Sequence, residues 1–154
     1  MKRSKAPLAL MEQMVMLLVF ALAAALCLQA FIRSDSDSKR SEARDRAAVL
    51  CQNVAETIRH NGGDLEAALK TVSGVDPGSR DGFGLFEHYD EDWNVMEYHG
   101  RPLSPKYLLR AMEVDSGMDG LGKANVEAFT WDGGAMESLF SIEVAWQTEV
   151  SGDG

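Results

Sequence analysis

Leu8 to Ile32 reads LALMEQMVMLLVFALAAALCLQAFI, twenty-five residues interrupted by only three polar side chains, Glu12, Gln13 and Gln29. At about 1.5 Å per residue a helix of this length reaches roughly 37 Å, enough to cross a hydrocarbon layer about 30 Å thick. The stretch therefore predicts a transmembrane helix over residues 8–32. Lys2, Arg3 and Lys5 precede it, whereas Arg33, Asp35, Asp37, Lys39 and Arg40 follow it with mixed sign. That asymmetry puts residues 1–7, a basic leader, in the cytoplasm and everything beyond the helix outside. A cleaved secretory signal is the competing reading, but its apolar run would lack an acid and its cut would follow small residues, where Leu28 and Gln29 stand here. A lipid anchor on Cys27 meets a similar objection, because Leu26 precedes it.

The rest of the chain has a different character. Residues Met1 to Phe31 carry a net +2 of the overall −9, so the remaining 123 residues carry −11. An acidic surface of this kind repels phosphates and releases few counterions, which argues against nucleic acid as a partner. Hydrophobic residues make up 45% and charged residues 25%, which excludes wholly disordered and collagen-like chains, and 154 residues allow one buried core.

Working outward from the membrane segment, Ser34 to Arg46 (SDSDSKRSEARDR) is rich in residues that favour caps and turns, and a weak joint is expected there. From Ala43 the apolar positions Ala43, Ala47, Leu50, Cys51, Val54 and Ile58 recur at helical spacing, predicting an amphipathic helix within residues 33–63 that ends at Asn61, Gly62 and Gly63. If the joint stays helical, the two segments run on as one helix, since no proline lies between Pro7 and Pro77. Asp64 to Val72 predicts two further turns capped by Asp64, and Gly74 to Gly82 a loop. Beyond it the period becomes alternating, with five strands expected at Phe83 to Tyr89, Trp93 to Tyr98, Lys106 to Asp115, Lys123 to Trp131 and Met136 to Val150. In the last, Met136, Ser138, Phe140, Ile142, Val144 and Trp146 share one face. Asp90 to Asp92 and Asp132 to Gly134 mark hairpin turns, and Gly100 to Pro105 a corner. The expected fold is α+β: a long N-terminal helix, half in the membrane and half amphipathic, packed on an antiparallel sheet of four to five strands, with residues 64–154 forming an extracytoplasmic head.

Glu12 is the residue that carries functional information. A carboxylate at the middle of a bilayer costs about 2.5 kcal/mol or more, and less near its edge. It either snorkels to the cytoplasmic interface, one turn in from Leu8, or pairs with a cation within the membrane. The basic leader MKRSKAP, the apolar helix start Leu8, Ala9, Leu10 and Met11, the glutamate fifth from that start and the unbroken apolar helix after it resemble the N-terminus of type IV pilins and type II secretion pseudopilins. The resemblance covers about the first 32 residues. It implies a pilin-like fold and a leader cut by a prepilin peptidase ahead of Leu8. It further implies that Glu12 matches the new amine of a neighbouring subunit during assembly. Pro7 departs from the family, which has glycine before the cut. Proline fixes φ and lacks an N–H, which alters the backbone a protease must hold, so a leader that is kept or cut atypically stands beside ordinary processing.

The remaining constellations point away from chemistry. Gly117 to Lys123 (GMDGLGK) fits part of a phosphate loop, but Ala124 replaces the magnesium-binding hydroxyl and a strand is expected to follow. Asp90, Glu91 and Asp92, with Asp76 and Asp81, lack EF-hand spacing and read as a solvated turn. His60, His88 and His99 are widely spaced, with no nucleophile motif beside them. Cys27 and Cys51 would lie about 36 Å apart along a continuous helix, too far for a disulfide. Phe129, Trp131, Phe140 and Trp146 are core candidates, with a surface recognition patch as the other reading. No catalytic residue, metal or cofactor is expected. The expected function is a structural subunit of a pilus or secretion filament, with the lipid bilayer, other pilin-like subunits, a prepilin peptidase and assembly machinery as partners. The alternative is a non-polymerising single-pass membrane protein whose outer domain binds a ligand or another protein, and an anchored enzyme ranks third.

Overall fold

The computed structural model describes residues 6–77, 79–81, 84–97, 104–132 and 135–148. Its arrangement is α+β: a long N-terminal helix, which from Ala43 onward packs on an antiparallel sheet. Contacts group the chain into two compact units, one ending at Glu42 and the other beginning at Ala43.

Helix α1 spans Ala6–His60. The expected joint at Ser34 to Arg46 is helical throughout. No glycine or proline interrupts it, and Lys39 meets Asp35 one turn away at 2.9 Å, an i,i+4 pair that supports helix. That hydrogen bond holds the Lys39 ammonium above its usual range.

In the second unit, α1 contributes the expected stripe. Ala47, Cys51, Val54 and Ile58 are fully buried, Ala43 and Ala55 nearly so, and Leu50 packs against them at the margin. Asn61 donates its backbone N–H to Thr57 and Gly63 to Ile58, while Gly62 and Gly63 both adopt positive φ, so the helix stops where the glycines allow it to. Helix α2, Leu65–Ser73, follows at once. The Asp64 carboxylate accepts from the N–H of Ala67 at 2.9 Å, and Gly74 closes the other end in the left-handed region. Leu65, Ala68 and Leu69 form its buried side.

Five strands make one meandering sheet: β1 Ser79–Asp81, β2 Gly84–Tyr89, β3 Tyr107–Glu113, β4 Leu121–Asp132 and β5 Ala135–Gln147, hydrogen-bonded in that order and antiparallel throughout. Leu85, Leu109, Ala111, Ala124, Val126, Ala128, Val144 and Trp146 join the α1 and α2 residues in one core. Burial of each larger aliphatic side chain contributes about 1.5–3 kcal/mol, so the covered face of the sheet and the stripe of α1 stabilise each other.

Four of the five expected strands are present, and three details differ. Trp93 to Tyr98 is not a strand: a single bridge joins Val95 to Tyr89, and Tyr98 lies outside the described residues. The cause is Trp93, which leaves the turn at φ +66, a conformation no strand continues, and is held there by stacking on Tyr107 at 4.0 Å and leaning on Tyr89 at 6.0 Å. Within the expected Gly74 to Gly82 loop, β1 supplies a short edge. The third difference is a bulge in β5. Ala128 stands opposite Phe140 but Phe129 opposite Ser138, leaving Leu139 as the extra residue, buried in the core. The insertion inverts the alternation beyond it, so Met136 and Ser138 share a face with Phe129 and Trp131 rather than with Phe140, Ile142, Val144 and Trp146. The Gly100 to Pro105 corner lies mostly outside the described residues, as do Gly133 and Gly134 of the last hairpin.

Candidate functional site

Among the described residues, one helix is long and apolar enough to cross a membrane, and none of its most apolar window is buried. Every side chain from Leu10 to Ile32 is exposed, on all sides of α1. A helix apolar all round is stable in water only when something covers it. Glu12 is exposed among these side chains, the single ionisable carboxylate between Leu10 and Ile32. Pro7 and Leu8 belong to the first turns of α1, where a proline costs no hydrogen bond because an N–H at that position would have no helical partner in any case. Ala21, Ala23, Ala24 and Ala25 offer low side-chain relief further along, and Cys27 is exposed near them.

The covered face of the sheet holds a group the sequence analysis did not single out. Glu87 faces inward between Leu85 and Tyr89 on β2 and is only 3% exposed. Tyr89 donates its hydroxyl to Glu87 Oε2 at 2.6 Å, while Oε1 is buried with no hydrogen-bond partner among the described residues. Burial pushes the Glu87 carboxyl above its usual range, with the hydroxyls of Ser73 and Tyr89 pulling part of the way back. Tyr89 is pushed up in turn, by burial first and then by the carboxylate. Cys51 lies in the same core, its thiol pushed up to about 12 by burial, so it is not a nucleophile.

On the opposite face, register places Phe86, Arg110, Glu127 and Ser141 in one row and His88, Leu108, Phe129 and Ser138 in the next. Arg110 bonds Glu127 at 2.9 Å and lies 5.1 Å from the centre of the Phe129 ring. The aromatic set therefore divides: Trp146 is buried core, Phe140 packs against the core, Phe129 is half-buried under the guanidinium, and Trp131 is exposed beside Met136. Trp146 lies flat on two glycines, since a Cβ at Gly63 or at Gly122 would fall within its indole ring.

The other constellations have structural uses. The Asn94 side chain donates to Asp90 Oδ2 at 3.0 Å, and Oδ1 accepts from the backbone N–H of Asn94 and of Asp92, both at 2.9 Å; together, the Asn94 side chain foremost, they hold the carboxyl below its usual range. Asp76 pairs with Lys70 at 2.6 Å. These acids are used in turns, and no group of three metal-binding side chains occurs among the described residues. In the phosphate-loop lookalike, Gly117 gives its N–H to Asp115, β4 begins at Leu121, and Lys123 pairs with Glu143 across the sheet at 2.8 Å. A phosphate cradle needs free N–H groups at a helix start, and a strand start offers neither. His60 is exposed at the end of α1, in an open cleft of about 920 Å³ that also takes in Asn53, Thr57 and Thr71. His88 is half-buried and pushed below its usual range by that burial, and His99 lies outside the described residues.

No protein-family model, curated protein or solved structure matches this chain.

Proposed function

We propose that the chain is a pilin-like or pseudopilin-like structural subunit, anchored in the cytoplasmic membrane by the first part of α1 with residues 64–154 outside. Its copies assemble side by side through the apolar helix. The observation that carries this reading is Glu12, one acid at the inner end of a helix whose every described side chain from Leu10 to Ile32 is exposed and almost wholly apolar. Lipid covers such a helix without discrimination, but a carboxylate within it favours an arrangement that brings a cation or a hydrogen-bond donor alongside. A free α-amino group at Leu8, made by removal of residues 1–7, supplies that cation from a neighbouring copy. The alanines at 21 and 23–25 allow close approach between helices.

The test is the mass of the chain recovered from membranes, together with its assembly state. A mature chain beginning at Leu8 and recovered in high-order assemblies supports the reading. A chain beginning at Met1 and found as single copies overturns it, and leaves a tethered outer domain that binds a ligand or another protein.

A further inference from the structure

We propose that the outer edge of β5, from Phe140 to Gln147, accepts an extended basic segment of a partner protein as a sixth strand of the sheet. This surface does not depend on whether copies of the chain polymerise. The two edges of the sheet are built differently. On one side, β1 is three residues long, the short edge by which proteins commonly avoid unwanted pairing. On the other, β5 runs for 13 residues and, among the described residues, pairs only with β4. Antiparallel geometry then directs the N–H and C=O of alternate β5 residues away from the sheet, ready to bond another strand.

Among the described residues, Glu143 is the one edge charge within the segment, and it is drawn to Lys123 of β4. Phe140 to Gln147 (FSIEVAWQ) contains no proline, lysine or arginine, and the bulge that twists β5 falls before it, at Leu139. The register from Phe140 to Gln147 is regular.

Beside this edge lies a groove of about 260 Å³ between α1 and β5. Ala55 and Val144 are buried at its floor and Ile142 is half-buried there, while Glu56 and Arg59 form an exposed rim on α1. A strand added to an edge alternates its side chains between the two faces of the sheet. One set would therefore enter the groove as apolar anchors, and the backbone would supply the missing hydrogen bonds.

Charge selects the occupant. Beyond Phe31 the chain carries −11, so a second copy would bring an equal acidic charge to an acidic surface, whereas a lysine- or arginine-bearing strand is attracted to it and to Glu56 on the groove rim in particular.

The test uses the full chain in lipid nanodiscs and a synthetic peptide alternating valine with lysine, with backbone hydrogen exchange as the readout. The expected result is new protection at alternate amides between Phe140 and Gln147. Affinity should fall about ten-fold when alternate backbone nitrogens of the peptide are methylated, and by a few-fold for Glu56→Lys. Binding indifferent to methylation would show mere charge attraction and overturn the proposal. So would protection lying elsewhere, or protection that grows with protein concentration without peptide, which would assign the edge to a second copy.

Discussion

Residues Leu10 to Ile32 and Ala43 to Ile58 belong to one helix, yet they solve opposite problems. The later stretch has a narrow apolar stripe, and the sheet of its own unit covers it. The earlier one is apolar on every side, and each of its side chains is exposed. Helical backbone hydrogen bonding is the same in both, so the difference lies in the solvent each requires. One half is completed by folding, and the other, on the function proposed above, by lipid and neighbouring helices. A substitution should therefore act on head stability in one half and on association in the other.

The sharpest contrast comes from truncating apolar side chains. Ile58→Ala or Leu109→Ala removes a fully buried side chain and should cost about 2–5 kcal/mol in urea unfolding followed through the tryptophans. Leu18→Ala, on an exposed position, should leave that transition within about 0.5 kcal/mol of the parent chain. Equal losses from the two halves would break the comparison. Gly122→Ala tests the core from the other direction. Its Cβ would collide with the Trp146 indole and should cost about 1–3 kcal/mol by overpacking, read from the same transition.

A smaller effect should come from Glu87. Its folded carboxyl is raised above the unfolded one, so the folded head binds that proton more tightly. The associated stability is present at low pH and is lost as pH rises from the ordinary carboxylate range through the raised value. His88, lowered by burial, contributes the opposite slope as pH falls through the unfolded imidazole range. Comparing unfolding midpoints of the parent and Glu87→Gln across mildly acidic to neutral pH separates the two. The variant should lose the decline with rising pH and keep the histidine slope.

Much of this was legible before the structure was known. Spacing alone placed Ala47, Cys51, Val54 and Ile58 on one helical face, because a period of 3.6 leaves little freedom in which side is buried. The caps at Asp64 and Gly63 were legible for the same kind of reason, each residue type meeting a backbone need that few others meet. The bulge at Leu139 was not, since one inserted residue leaves an apolar alternation looking continuous while it moves Met136 and Ser138 to the other face. Nor was Trp93, whose positive φ is held by rings far along the chain, at Tyr107. Glu87 was overlooked because a charged residue in an alternating strand reads as solvent-facing; its place between Leu85 and Tyr89 was the available signal. The Ser34 to Arg46 joint shows propensity yielding to continuity, as turn-favouring residues between two strong helical segments stay helical.

The contribution of Glu12 is tested most directly by cysteine cross-linking of the full chain in membranes. Cysteines are placed in turn from Leu17 to Ala25, with exposed Cys27 replaced by serine and Cys51 left buried. Cross-linked copies should recur every three to four positions, marking one helix face, and should largely disappear when Glu12 is changed to Gln, with the urea transition of the head unchanged. Cross-linking that is absent, evenly spread around the helix, or indifferent to Glu12→Gln would contradict assembly through this helix.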